Sequence, residues 1–96
     1  MVKSVPILKA KNFCRGDYTA SNDTHCTMGW IYNIFKKEED VIKVSNAYEQ
    51  MFKSNTENII RWNDNQNRKK SVLANTWNRI MKSLGYTKKK GNRLYA

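Results

Sequence analysis

The chain has 96 residues, enough for one hydrophobic core and too few for two. Forty per cent of it is hydrophobic, and a single Pro with four Gly leaves too little turn punctuation for a many-stranded β fold. The formal charge of +10 is lopsided: residues 1–67 hold nine Lys/Arg against eight Asp/Glu, whereas residues 68–96 hold nine basic residues and no acid. A near-neutral body with a concentrated positive end favours a polyanionic partner, through its field and through counterion release at phosphates. No apolar run reaches membrane-spanning length, and Lys3, Lys9 and Lys11 interrupt any signal-like segment. The expectation is therefore a soluble, cytoplasmic protein without membrane contact, its two cysteines reduced.

In chain order, Ile7–Phe13 predicts a short helix, because Pro6 suits a first turn. Cys14–Thr24, rich in Gly, Asn, Asp, Ser and Thr, reads as a loop. A helix over His25–Lys37 follows from the spacing of Met28, Ile31, Tyr32 and Phe35, with Asp23 or Thr24 as its cap. Gly29, beside Trp30, lowers helix propensity there and predicts close approach by another backbone.

A third helix is expected over Glu39–Lys53, with Val41, Val44, Tyr48, Met51 and Phe52 as its apolar stripe; Glu38, Glu39 and Asp40 suit its positive end. Ser54-Asn-Thr-Glu57 matches a capping box and opens a short helix carrying Ile59, Ile60 and Trp62. Asn63-Asp-Asn-Gln-Asn67 ends it, because such side chains compete for backbone hydrogen bonds. Trp62 is expected to anchor this turn, with Asn63 and Asp64 closing it or forming a polar site. The last helix places Leu73, Trp77, Ile80, Met81 and Leu84 on one stripe before Gly85, a natural C-terminal cap. The fold class expected is all-α: a single-domain bundle of four to five helices over residues 1–86, then a basic, flexible tail over residues 87–96.

Arg68, Ser71, Asn75, Asn78, Arg79 and Lys82 fall on the polar side of the last helix. With Lys69 before it and Lys88, Lys89, Lys90 and Arg93 in the tail, they form the candidate nucleic-acid-binding set. Lysines and arginines hold phosphates, Asn75 and Asn78 can reach base edges, and Tyr86 and Tyr95 can stack on exposed bases.

Cys14, His25 and Cys26 are the other candidates for chemistry. A structural zinc needs four ligands, and the chain offers three soft ones, two of them adjacent. A Cys–His nucleophile would need Asp17 or Asp23 to orient it. The favoured reading makes Cys26 a small buried hydrophobe and His25 a partly exposed first-turn residue, with no metal, cofactor or catalytic residue. Arg15-Gly-Asp17 and Asn22-Asp-Thr24 match adhesion and glycosylation patterns that carry meaning only on an exported chain.

Phe13-Cys-Arg-Gly16, Cys26-Thr-Met-Gly29 and Trp62-Asn-Asp64, followed by the closing helix from Val72, span roughly residues 12–84. In order and spacing these blocks resemble a family of short uncharacterised helical domains found in phage and actinobacterial proteins. The resemblance implies a helical fold, a phage-like source and one structural cluster of Cys14, Gly16, Cys26, Gly29, Trp62, Asn63 and Asp64. It implies no activity. Phe13 stands where the family has Trp, Trp30 follows the second glycine, and the lysine-rich tail is additional.

The sequence thus points first to a small basic accessory protein, phage-encoded, that binds nucleic acid or an acidic surface of a host complex through its last helix and tail. A second reading is an interaction module that inhibits or redirects a host enzyme through an apolar patch including Trp30, Tyr32 or Phe35. A third is an enzyme built on Cys14, His25 or Cys26.

Overall fold

The computed structural model describes residues 4–20, 24–52 and 58–88. Four helices dominate: α1 (Thr27–Ile34), α2 (Glu38–Met51), α3 (Ile59–Asp64) and α4 (Lys70–Ser83). Four two-residue strands accompany them: β1 (Ser4–Val5), β2 (Thr19–Ala20), β3 (Thr24–His25) and β4 (Thr87–Lys88). β1 pairs with β4 in parallel, and β2 pairs with β3 antiparallel. The class is therefore mixed, a small α/β domain, and the all-α expectation fails. Two residues are too few to show the alternation that marks a strand, and the partner of β1 lies at the other end of the chain.

α4 is the spine of the core. Leu73, Ala74, Trp77, Ile80 and Met81 are all buried on one side of it. Around Trp77 gather Leu8, Phe13, Trp30, Ile31, Val44 and Tyr48, each at most 1% exposed. Burying aromatic side chains of this size contributes roughly 2–3 kcal/mol apiece. Gly85, at φ 89, ends the helix in the left-handed region, as its place after Leu84 predicts.

α1 stops at Ile34, short of the expected Lys37. Phe35 takes extended backbone and turns its ring toward Trp77 and Tyr86, with centroids at 6.4 and 5.3 Å. Its N-cap is Cys26, whose Sγ accepts the Gly29 N–H at 3.4 Å, in place of Asp23 or Thr24. Gly29 does meet another backbone: a Cβ there would collide with the Tyr18 carbonyl oxygen. α2 begins without a side-chain cap, and Glu38, Glu39 and Asp40 in its first turn offset the dipole instead. The Ser54–Glu57 capping box lies outside the described residues. α3 is capped by Asn58, whose Oδ1 accepts the Arg61 N–H at 2.9 Å.

The expected helix over Ile7–Phe13 shrinks to a 3-10 turn at Ala10–Asn12. Asn78 of α4 takes both backbone groups of Leu8, accepting its N–H at 3.2 Å and donating to its carbonyl at 3.0 Å. A segment satisfied in this way has no need of helical hydrogen bonds. The tail boundary moves as well, since Thr87 and Lys88 are register partners of Ser4 and Val5.

Candidate functional site

Two regions collect the residues singled out in the sequence. The first is a polar knot where the 14–27 segment meets α3. Trp62 anchors it from the core side, 5% exposed, with Tyr48 edge-on at 5.7 Å and Phe52 at 6.3 Å. The next residue, Asn63, turns fully inward. Its Oδ1 accepts from the Thr27 N–H at 2.9 Å and the Thr27 hydroxyl at 2.7 Å. Its Nδ2 donates to the Cys14 carbonyl at 2.9 Å and to Asp64 Oδ1 at 3.1 Å. The same Asp64 oxygen accepts the Gly16 N–H at 3.1 Å.

Arginines close the knot. Arg15 Nε donates to the Asn63 carbonyl at 3.0 Å, and its Nη2 donates to the Arg68 carbonyl. Arg68 Nη1 donates to the Trp62 carbonyl at 2.6 Å while its guanidinium lies 5.1 Å over the indole. Asn63 and Asp64 therefore do not close their own turn, as the sequence suggested. They reach across to residues 14–27, and two arginines satisfy the carbonyls of Trp62 and Asn63 instead.

Cys14, Gly16, Cys26, Asn63 and Asp64 are thus brought together, with Trp62 behind them and Gly29 one turn into α1. Gly16, Cys26 and Asp64 also line a cavity of about 180 Å³ with Asp17, Tyr18 and Ile60. Burial pushes both the Cys14 and the Cys26 thiol up, away from the reactive thiolate. His25 is a buried strand residue, not a half-exposed helical one; its Nδ1 lies 2.8 Å from the Thr19 hydroxyl, and its ring packs edge-on against Trp30 at 4.5 Å.

The second region is the outer side of α4. Lys69, Asn75, Arg79 and Lys82 are exposed there. Arg79 Nη2 approaches Met51 Sδ at 3.6 Å. Two members of the predicted basic side are withdrawn: Arg68 is committed to Trp62, and Asn78 is spent on Leu8. Tyr86 is half-buried between Phe35 and Lys43, whose Nζ stands 4.8 Å from the ring centre, so its face is not open to a base. The Lys88 backbone belongs to β4, while Lys89, Lys90, Arg93 and Tyr95 lie outside the described residues.

Two contributors escape sequence reading. Lys9 and Lys11 are exposed on the segment that Asn78 holds beside α4, bringing positive charge near that helix from the far end of the chain. Tyr18, Tyr32, Ile42 and Ile60, each 43–56% exposed, line one groove with Met28, Val41 and Ile59. Of the apolar patch expected from sequence only Tyr32 is at the surface; Trp30 and Phe35 are core residues. Ile42 and Ile60 carried a signal, since both fall off the apolar stripes of their helices.

Among the described residues, no helix is long and apolar enough to cross a membrane. Comparison of the chain with protein-family models, curated proteins and solved structures finds no match.

Proposed function

We propose that the protein is a small basic accessory protein that binds nucleic acid, or a comparably acidic surface of a host complex, through α4. The observation that carries this reading is the outer side of α4, where Lys69, Asn75, Arg79 and Lys82 meet solvent and no carboxylate follows Asp64 in the sequence. Lys9 and Lys11, exposed on the segment beside α4, add positive charge near it. Lys88, Lys89, Lys90 and Arg93 follow α4 in the chain and add charge. Phosphates neutralise such a surface with release of counterions, so affinity falls steeply with salt. A phage-encoded source acting in a host cytoplasm belongs to the same proposal; its source rests on the sequence blocks at Cys14, Cys26 and Trp62 alone.

The test is fluorescence anisotropy with labelled duplex and single-stranded DNA and RNA, from about 50 to about 200 mM salt. Affinity is expected to fall at least tenfold over that range, and to fall again in an Arg79→Gln/Lys82→Gln variant. Affinity unchanged by salt, or an absence of binding at the lowest salt, overturns the reading.

The groove lined by Tyr18, Tyr32, Ile42 and Ile60 favours a second reading, an interaction module for a host enzyme. Here a partner captured from nuclease-treated lysate survives high salt and is lost on Ile42→Asp, while Arg79→Gln/Lys82→Gln leaves capture intact.

A further inference from the structure

The cysteines are the groups that the proposed function leaves unused, and the backbone sets them side by side. Phe13 and His25 pair as a parallel bridge, and the Cys14 N–H donates to the His25 carbonyl at 3.1 Å. The bridge is isolated; Cys14 and Cys26 follow its two partners, with their backbones adjacent where the Asn63 amide spans from the Cys14 carbonyl to the Thr27 N–H. Residues in register on neighbouring parallel strands project to the same side of the ladder, and those strands lie about 5 Å apart. A disulfide spans Cα separations of roughly 4.4–6.8 Å, which includes this spacing. The same alternation sends His25 to the opposite side from Cys26, where it meets Thr19 and Trp30. Cys26 is thereby set near enough to Cys14 to feel its charge, while the imidazole is turned away. Both are enclosed, Cys14 at 8% and Cys26 at 4% exposure.

We propose that Cys14 and Cys26 are a paired modification site that closes to an intramolecular disulfide when the chain meets a low-molecular-weight disulfide such as glutathione disulfide. The Cys14 thiolate attacks one sulfur of glutathione disulfide, forming a mixed disulfide and releasing one glutathione thiolate. The Cys26 thiolate then attacks the Cys14 sulfur, the Cys14–Cys26 bond forms and the second glutathione leaves. Two protein thiols lose two electrons, glutathione disulfide gains them, and the protons pass to the two glutathiones and solvent.

Closure gives up the contact from the Cys14 thiol to the Asp17 carbonyl, at 3.3 Å, and leaves Cys26 Sγ able to accept from Gly29. It also ties off the 14–26 loop, which carries the Tyr18 carbonyl that seats against Gly29 and accepts the Cys26 N–H at 3.2 Å. The oxidised form is a clamped version of the same fold. Burial slows attack in the folded protein, so the bond forms chiefly as the loop opens or as the chain folds.

The whole chain is unfolded in urea and refolded in a glutathione redox buffer, beside a folded sample held in the same buffer. The refolded protein is expected to be about 2 Da lighter, with no thiol alkylated after denaturation. Trypsin, cutting after Lys11, Arg15 and Lys36, then yields peptide 12–15 joined to peptide 16–36. Its thermal midpoint exceeds that of the reduced form by several degrees, a difference absent from Cys14→Ser. Refolded chains whose thiols stay free, carry glutathione, or link two chains together overturn the proposal.

Discussion

Asn63 and Thr27 share two hydrogen bonds across 36 residues of sequence, backbone N–H and side-chain hydroxyl converging on one amide oxygen. The arrangement fixes the first turn of α1 to the end of α3. Because the other end of that amide holds the Cys14 carbonyl, removing the side chain orphans buried groups on two segments at once. Asn63→Ala is expected to cost about 3 kcal/mol, read as a lower urea midpoint; Thr27→Val, which removes one hydroxyl bond, costs about 1 kcal/mol. Equal effects of the two would argue against the shared amide.

Gly29 and Gly85 are irreplaceable for different reasons, and alanine separates them. At Gly29 the obstacle is the Tyr18 carbonyl, a backbone atom that cannot swing aside, so Gly29→Ala costs about 3 kcal/mol. At Gly85 the space is open and the difficulty is the backbone angle alone, φ 89. Gly85→Ala therefore costs about 1 kcal/mol. Thermal unfolding of both variants checks the order.

Tyr48 has a buried hydroxyl without a hydrogen-bond partner among the described residues, and burial pushes its ionisation well above the ordinary 10.0. Tyr48→Phe keeps the ring packed on Trp62 and is expected to stabilise the fold by about 1 kcal/mol. A folded-state value raised above the unfolded one means that stability is complete below pH 10 and is lost as pH rises beyond it. The phenylalanine variant should consequently resist alkali better than the parent.

The thiols obey the same sign. Burial raises Cys14 and Cys26 above 9.0, so each contributes stability that is whole at neutral pH and declines above pH 9. Urea midpoints measured from pH 7 to 10 should fall at the alkaline end for the reduced protein and fall less for Cys26→Ala.

Two arginines assigned to one surface by sequence should behave differently. Arg68 lies over Trp62 and bonds its carbonyl, so Arg68→Ala costs about 2 kcal/mol of stability. Arg79 is exposed, and Arg79→Ala changes stability by less than about 0.5 kcal/mol while weakening polyanion binding. Melting temperature and anisotropy on the same two variants decide it.

What was legible in the sequence was whatever local periodicity controls. The α4 stripe from Leu73 to Met81, its stop at Gly85 and the close approach at Gly29 all follow from residue type and spacing. Asn78 and Asn63 show where that logic fails. Asn78 reads as a polar helix residue free to face water and Asn63 as one that closes its own turn, yet each is spent on backbone groups 36 to 70 residues away. The bonds that claim them exist only once the tertiary fold has formed. The paired strands were hidden for the same reason, since two-residue strands carry no pattern of their own. Within the candidate site, the excess of positive charge was visible, but the engagement of Arg68 with Trp62 and the approach of the Lys9–Lys11 segment to α4 were not.

The β1–β4 pairing has a kinetic consequence. Ser4 and Thr87 meet across 83 residues, so this ladder closes the longest loop in the described chain and cannot form until nearly all of that chain has left the ribosome. Only two residue pairs reward that closure. It is expected to assemble late and open early, so amide hydrogen exchange at Val5 and Lys88 should run ahead of exchange in the interior of α4.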